Sequence, residues 1–343
     1  MKIQFNRIFL IGGLLSALHG LSAMQEDQSS CGSGAQEVVS VDQEVPEISS
    51  EQCQVLGQQL FELINTGNND EVKNLLEQGA HVDVVDADNS TPLFYAIRAS
   101  NLMALKLCLK HGADVFHVNS RGGIPYFSAT NRNASQEILN TINFYEFATI
   151  NKYGSQAVAQ QISKSRMNLA EKQETIKRLK KLILSYQFLD SVIQGNYDLA
   201  LSFMSEDINI NVVDGSNSTA LFHALRADVK NHSFISLILH NGADVFHVNN
   251  NGGIPYHSAC KHGADQEIIE LIQYFEKLTM RHGFDNVIAR LEKSLGEAVR
   301  EQTIDRLTQM HVYDDTSLTL FEKIYGVSQG VDHSARYTDF PGK

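Results

Sequence analysis

The sequence is dominated by a long internal duplication. Residues 112–126 read GADVFHVNSRGGIPY and residues 242–256 read GADVFHVNNNGGIPY, so thirteen of the fifteen positions are identical. Further matches extend the first copy from Gly67 to Leu179. The copied unit is about 125 residues long, and repetition on this scale favours stacked copies of one scaffold over a single irregular domain.

A shorter period lies inside each copy. The pattern Gly-Ala-x-Val followed by a proline begins at Gly79 and again, 33 residues later, at Gly112. The apolar residues between Pro92 and Gly112 are spaced for two short helices, which break near Asn101. Thr91 is expected to cap the first helix with its side chain, and Pro92 suits its first position. Gly112 is expected to end the second helix in the left-handed conformation.

This pattern resembles the ankyrin-repeat family, whose motif runs G-A-D-V-N-A-x-D-x-x-G-x-T-P-L-H-x-A. Residues 79–96 fit the motif in register, with Asn89 at the turn glycine, where asparagine tolerates a positive φ. The resemblance covers about residues 57–150 and 186–280, with three repeats in each. It implies an all-α repeat fold, a solenoid of helix-turn-helix pairs joined by β-hairpin turns, in two modules with helical closures.

The domain organisation follows from the copies and from the composition between them. The segments after each set of repeats lie outside the family pattern, yet they are copies of one another. The predicted segments are a signal peptide (1–23), a disordered acidic spacer (24–55), ankyrin repeats one to three (56–150), a helical connector (151–185), repeats four to six (186–280), a helical closure (281–325) and a disordered tail (326–343).

The N-terminus has the layout of a secretory signal peptide. Lys2 and Arg7 precede an apolar run from Ile8 to Leu18, and small residues follow up to Ala23. The run is shorter than the ~20 apolar residues of a membrane-spanning helix. We therefore expect export to the periplasm or beyond the cell, with no stable membrane insertion after cleavage. An uncleaved anchor is the alternative.

The charge of the chain restricts the kind of partner. A net charge of −12 argues against nucleic acid or an anionic membrane as the main partner. Residues 164–181 are the one basic stretch, and the matching stretch of the second copy is rich in acidic residues. Because no aromatic residues interleave these bases, we interpret the stretch as a solvated helical face, with a membrane or nucleic-acid contact as the alternative.

The cysteines do not form the framework of a small disulfide-rich domain. Cys108 and Cys260 occupy positions that do not correspond in the two copies, and each is expected to be buried and unpaired. A disulfide between Cys31 and Cys53 of the spacer is an open alternative.

No catalytic or metal-binding motif is found in the sequence. It has no phosphate-binding loop, nucleophile elbow or metalloprotease helix. The string His-Gly-Ala-Asp begins at His111 and at His262, but these fall at different places in the repeat and do not mark one site presented twice. We therefore predict no enzymatic activity, metal or cofactor. The enzymatic alternative is an unrecognised site in the helical closures.

The candidate binding surface consists of the hairpin tips, which differ between the copies while the packed positions agree. In the family register these tips are formed by Val85, Ala87, Asp88, Val118, Ser120, Arg121, Val248, Asn250 and Asn251. A second set, for which packing between repeats is favoured over contact with a partner, comprises Phe116, His117, Phe246 and His247.

The resemblance implies noncatalytic recognition of another protein, and we expect the chain to act as a monomer. By analogy with ankyrin-bearing proteins of host-associated bacteria, the chain is expected to be a secreted effector that binds a host or envelope protein. The alternative is a structural protein of the periplasm or envelope without a dedicated partner.

Overall fold

The structure is a computed structural model that describes residues 50–281 and 283–312. Residues 1–49, which include the predicted signal peptide, and residues 313–343, which include the predicted tail, lie outside the described part. Cys31 lies there as well, so its pairing in the spacer stays a prediction.

The first of two compact units, Met1–Ile183, contains three helix pairs followed by closing helices. Its helices are α1 (Ser50–Thr66), α2 (Asn69–Glu77), α3 (Pro92–Arg98), α4 (Leu102–Lys110), α5 (Pro125–Thr130), α6 (Gln136–Tyr153), α7 (Ser155–Lys164) and α8 (Leu169–Ile193), the last of which ends in the second unit. Helices α1, α3 and α5 pack side by side in one row, and α2, α4 and α6 form another. The predicted all-α repeat solenoid is confirmed.

The predicted hairpins are tight turns, because no β-strand is formed anywhere in residues 50–281 or 283–312. The turns of the second and third repeats are joined by a backbone hydrogen bond from Ser120 N–H to Asp88 O (2.9 Å). Strand pairing needs a ladder of such bonds, and this contact does not continue into one. Asn89 has a φ of 53°, as expected for its place at the turn glycine of the family motif.

Helix α1 begins at Ser50, inside the segment that the composition assigns to a disordered spacer. Residues 50–56 contain no glycine or proline, and Leu60 and Ile64, one helical turn apart, are fully buried. These two side chains anchor the helix in the core, and the helix continues to Ser50 through Gly57, whose missing Cβ leaves room for the Val84 side chain. The spacer therefore ends earlier than predicted.

The start of α3 depends on a proline and on the preceding turn. Pro92 occupies the first turn as predicted, but Thr91 makes no side-chain capping bond, and its buried Oγ1 has no partner. The turn before the helix is held by Asp86 instead. Its Oδ1 accepts hydrogen bonds from the N–H groups of Asp88 and Ser90, both at 2.8 Å. The predicted Thr91 cap is wrong because this residue is fully buried in the core.

Cys108 and Cys260 differ in environment. Cys108 is buried and unpaired as expected, and burial raises the pKa of its thiol to about 12. Cys260 is also unpaired as expected, but it is exposed, so the predicted burial of this residue is wrong. The helix that carries Cys260 buries Pro255, Ser258 and Ala259 and leaves the cysteine outside the packed face.

The second unit, Leu184–Lys343, repeats the helix pairs of the first. Its helices after α8 are α9 (Tyr197–Phe203), α10 (Ala220–Arg226), α11 (His232–His240), α12 (Pro255–Lys261), α13 (Gln266–Arg281), α14 (Phe284–Ser294) and α15 (Glu297–Val312). Helix α10 packs on α12, and α11 packs on α13. The two extra residues of this copy fall at the bend before α11, which agrees with the expected turn.

Helix α8 crosses the boundary that the sequence places near residue 185. Residues 169–193 contain neither glycine nor proline, so the connector and the first helix of the second repeat set form one continuous helix. Within the second unit, Phe188 and Leu189 of this helix are buried, and the Phe188 ring lies 6.4 Å from that of Phe234.

A buried ion pair ties the closing helix to the third repeat. In the first unit, Arg178 of α8 donates hydrogen bonds to both carboxylate oxygens of Glu146 in α6, at 2.6 and 2.7 Å. The same guanidinium lies over the Tyr126 ring of α5, 3.6 Å from its centroid. Glu146 is completely buried, and burial raises the pKa of its carboxyl group while Arg178 opposes that rise.

The second unit contains the same three-residue cluster. Arg306 of α15 donates to Glu276 of α13 at 2.7 and 2.8 Å and lies 3.6 Å from the centroid of the Tyr256 ring. Each arginine thus connects both helices of the third repeat to a closing helix. The interpretation of residues 164–181 as a solvated face is wrong for Arg178, whose side chain is only 14% exposed.

Removing Arg178 tests the closure of the first unit. We expect Arg178→Leu to lower the free energy of unfolding by about 3–5 kcal/mol, because Glu146 is left buried without its counter-charge. Chemical denaturation followed by circular dichroism measures the change. Lys106→Gln is the matched control, since Lys106 forms an exposed pair with Glu137 at 3.0 Å, worth ~1 kcal/mol or less. Equal losses in the two variants would contradict a stabilising role for the buried cluster.

Candidate protein-binding surface

Side-chain hydrogen bonds to the backbone hold the turns between repeats. In the third repeat of the first unit, Asn119 N–H donates to Gly123 O at 3.1 Å, which closes a tight turn. The Asn119 side chain accepts hydrogen bonds from the N–H groups of Arg121 and Gly123, at 3.0 and 3.1 Å. Asparagine favours this local bonding, so the turn backbone is fixed before any partner arrives.

Further contacts fasten neighbouring turns to each other. Asn89 Nδ2 donates to Val118 O at 2.8 Å, and the His117 ring lies 2.9 Å from Asn89 O through its Nε2. Phe116 is almost fully buried beside them. Both members of the secondary candidate pair therefore contribute to the scaffold, and their contact with a partner stays a prediction.

The predicted tip residues of the first unit divide into exposed and half-buried positions. Val85 is 48% exposed, and Ala87, Asp88 and Ser120 are also exposed. The Arg121 side chain is 80% exposed, and its ion pair with Asp88 is long, at 3.9 Å. Val118, by contrast, is half-buried, and its backbone oxygen is used within the scaffold.

The tips of the second unit have the same backbone arrangement with different side chains. Asn250 N–H donates to Ser216 O at 3.1 Å, and Asn217 Nδ2 donates to Val248 O at 2.8 Å. Asn250 and Asn251 are exposed, whereas Val248 is half-buried.

The secondary candidates of the second unit follow the pattern of the first. His247 contacts Asn217 O at 2.9 Å through Nε2, and Phe246 is fully buried. Burial lowers the pKa of His247, although its contact with Asn217 opposes that shift. The ring therefore serves the scaffold predominantly as a neutral group at neutral pH.

One tip contact has changed its chemistry between the copies. In the first unit, the Tyr95 hydroxyl donates to Asp86 Oδ2 at 2.9 Å. In the second unit, His223 takes the place of the tyrosine and contacts Asp214 Oδ2 at 2.9 Å. Burial alone raises the pKa of Asp214, but hydrogen bonds from His223, the Ser218 N–H and Ser216 outweigh it and lower the value to about 2.

The first unit also has a cleft of about 760 Å³ beside its third-repeat turn. This space is lined by residues of the turn from Asn119 to Gly123, by helix α5, by Asn131 and Arg132 after that helix, and by the first turns of α8. Arg121 is the predicted tip residue that borders it, whereas Arg98, Glu171 and Glu174 were not predicted. The family motif predicts the positions of the turns, but it does not predict that α8, which lies outside the motif, packs beside the third-repeat turn.

These features define a helical repeat protein with rigid turns and two layers of helices. Residues 60–150 match the family model described as ankyrin repeats (three copies), and the chain therefore carries ankyrin repeats. Repeats of this family are a protein-interaction scaffold and are generally noncatalytic. Residues 186–280 are related to the matched segment by the internal duplication.

A curated protein shares part of this sequence. The Ankyrin repeat and LEM domain-containing protein 1 homolog of Caenorhabditis elegans is 37% identical over 62 residues, which make up 18% of this chain and 9% of the relative. The chain thus spans less than a tenth of that relative's length. Within the described residues, no helix is long and apolar enough to cross a membrane.

Replacing His223 tests how the second-unit turn depends on pH. Because the folded pKa of Asp214 is lowered, the stabilisation is present above its ordinary value of 3.8 and disappears as the pH falls towards about 2. We expect His223→Phe to lower the free energy of unfolding near neutral pH by about 1 kcal/mol, and the deficit to shrink in that acidic interval. Thermal unfolding across pH measures it.

The control for this experiment comes from the other copy. His223→Tyr introduces the residue that contacts the equivalent aspartate in the first unit, so it should keep most of the stability. A deficit of His223→Phe that stays constant down to pH ~2 would exclude a contribution from the lowered pKa of Asp214.

Proposed function

We propose that the chain is an exported, noncatalytic scaffold that binds a host or envelope protein through its turn tips and the adjoining row of helices. The observation that carries this proposal is the contrast between tips and scaffold in the two copies. Ser120 and Arg121 are replaced by Asn250 and Asn251, while the hydrogen bonds that fix the two turns are the same. Side-chain variation on an unchanged backbone is what two related binding surfaces require.

The rigidity of the turns supports binding in a second way. Association costs free energy when loops must be ordered, and a preformed turn avoids much of that cost. The Asn119 side chain already bonds to the turn backbone, and Asn89 connects the turn to its neighbour. An arginine on such a turn suits recognition of a partner, because its planar group forms several directed hydrogen bonds.

Site-specific crosslinking tests the binding surface. A photoreactive residue at Arg121 should form a crosslink to a distinct protein in cells that produce the chain, because this side chain is 80% exposed at the tip. The matched control is the same photoreactive residue at Lys73, a solvent-exposed position on α2 whose side chain is 56% exposed. Equal crosslinking at both positions would contradict a surface centred on the tips.

Export is tested separately by fractionation. The proposal rests on the basic residues and apolar run that precede Ala23 in the sequence. We expect the full chain to be found outside the cytoplasm in a shortened form, and a chain lacking residues 2–23 to stay in the cytoplasm. Mass spectrometry of the N-terminus identifies the cleavage point. An unprocessed chain in the cytoplasm would contradict export.

A further inference from the structure

We propose that the cleft of the first unit binds an extended peptide segment of the partner protein that carries both an acidic and a basic side chain. This inference rests on the proposed function, because it assigns a recognition chemistry to one part of the same surface. The cleft has a volume of about 760 Å³ and is partly open to solvent, as a site for a segment of another protein must be.

The basic wall of the cleft is formed by Arg98, Arg121 and Arg132. Arg98 is committed to the scaffold, since it donates to Ser90 Oγ at 2.7 Å. Arg121 is paired only loosely, at 3.9 Å from Asp88. Arg132 is exposed, and within the described residues its side chain has no ion pair. Two guanidinium groups are thus available to a carboxylate, which they can bind with paired hydrogen bonds.

The acidic wall is formed by Glu171 and Glu174 in the first turns of α8. Glu171 Oε2 accepts a hydrogen bond from Asn168 N–H at 2.9 Å, and it lies 3.5 Å from the place that a Cβ on Gly122 would occupy. This carboxylate is therefore held beside the turn that carries Arg121. Glu174 is exposed and, in the described part of the chain, joins no ion pair.

The second copy lacks most of these charges. Scaffold positions of the cleft agree, as Asn119 and Gly122 match Asn249 and Gly252. The residues that correspond to Arg121, Arg132, Glu171 and Glu174 are, in order, Asn251, His262, Val299 and Gln302, while Lys261 replaces Asn131. Glu171 also caps the start of α8, but Arg121, Arg132 and Glu174 make no close ion pair within the described residues, so we attribute these three charges in the first copy to a ligand.

The copies also differ in how closely the closing segment approaches the turn. In the second unit, Gly296 N–H donates to Gly252 O at 3.0 Å, and a Cβ on Gly252 would lie 2.7 Å from Gly296 Cα. In the first unit, Asn168 stands where Gly296 stands in the copy, and a Cβ on Gly122 would have no neighbour nearer than 3.5 Å. The larger gap leaves the charged walls of the first unit accessible.

The arrangement of charge selects the ligand class. A purely acidic segment would be attracted by the arginines but repelled by the glutamates, and a purely basic segment would meet the reverse. A segment with one side chain of each sign satisfies both walls, and the half-buried Phe127, which also lines the cleft, offers an apolar contact. Binding of this kind should weaken as salt is added.

Selection from a displayed library of random peptides on the full chain tests the inference. We expect selected peptides to combine acidic and basic residues. Arg121→Asn and Glu174→Gln, the residues found in the second copy, should each weaken the binding of a selected peptide by about tenfold, or 1.4 kcal/mol. Both positions are exposed and unneeded by the scaffold, so an unchanged Tm is expected. Lys73→Gln on α2 is the matched control.

A double-mutant cycle identifies which wall of the cleft binds which charge of the peptide. Neutralising the acidic residue of the peptide should remove most of the further effect of Arg121→Asn, and neutralising its basic residue should do the same for Glu174→Gln. Selected peptides that lack one sign of charge, or that bind both variants as tightly as the wild type, would overturn the inference. Crosslinking at Arg121 would then still stand, so the failure of the peptide site is distinguishable from the failure of the proposed function.

Discussion

The contact between a buried glutamate, an arginine and a tyrosine holds each set of repeats closed. Glu146 lies in the row formed by α2, α4 and α6, and Tyr126 lies in the row formed by α1, α3 and α5, so a single guanidinium from the closing helix joins both rows. Arginine suits this place because its planar group binds a carboxylate through two hydrogen bonds and stacks on a ring. The last repeat would otherwise leave one face uncovered, and the closing helix covers it.

The turns show how the copies have diverged without altering their scaffold. Asn89 and Asn217 both adopt a positive φ, and each donates to the backbone of the next turn. The aspartate of each turn contacts a different side chain in the two copies: the Tyr95 hydroxyl in the first and the His223 ring in the second. The copies therefore differ in side chains while the turn backbone stays the same, which suits a family whose members bind different proteins on one fold.

The sequence was sufficient to predict the helix pairs, the turns and their repetition, because these depend on residues close together in the chain. The arginine clusters were missed because Arg178 and Glu146 lie 32 residues apart, and composition alone assigns charged residues to the surface. Their duplication was a usable signal, since Glu276 and Arg306 recur in the second copy. The cleft was missed because only the return of α8 brings Glu174 to the repeat turns.

The cluster of Glu146, Arg178 and Tyr126 shows that a complete structural unit of this chain extends beyond the ankyrin repeats. The segment that matches the family ends at residue 150, which includes Glu146 but not Arg178. A fragment cut at residue 150 would bury the Glu146 carboxylate without the Arg178 guanidinium that neutralises it. Because an unpaired buried charge is costly, Glu146 would become protonated or the third repeat would unfold locally. Each copy of the duplicated unit contains both its buried glutamate and the arginine that pairs with it, so the charge is compensated within the copy.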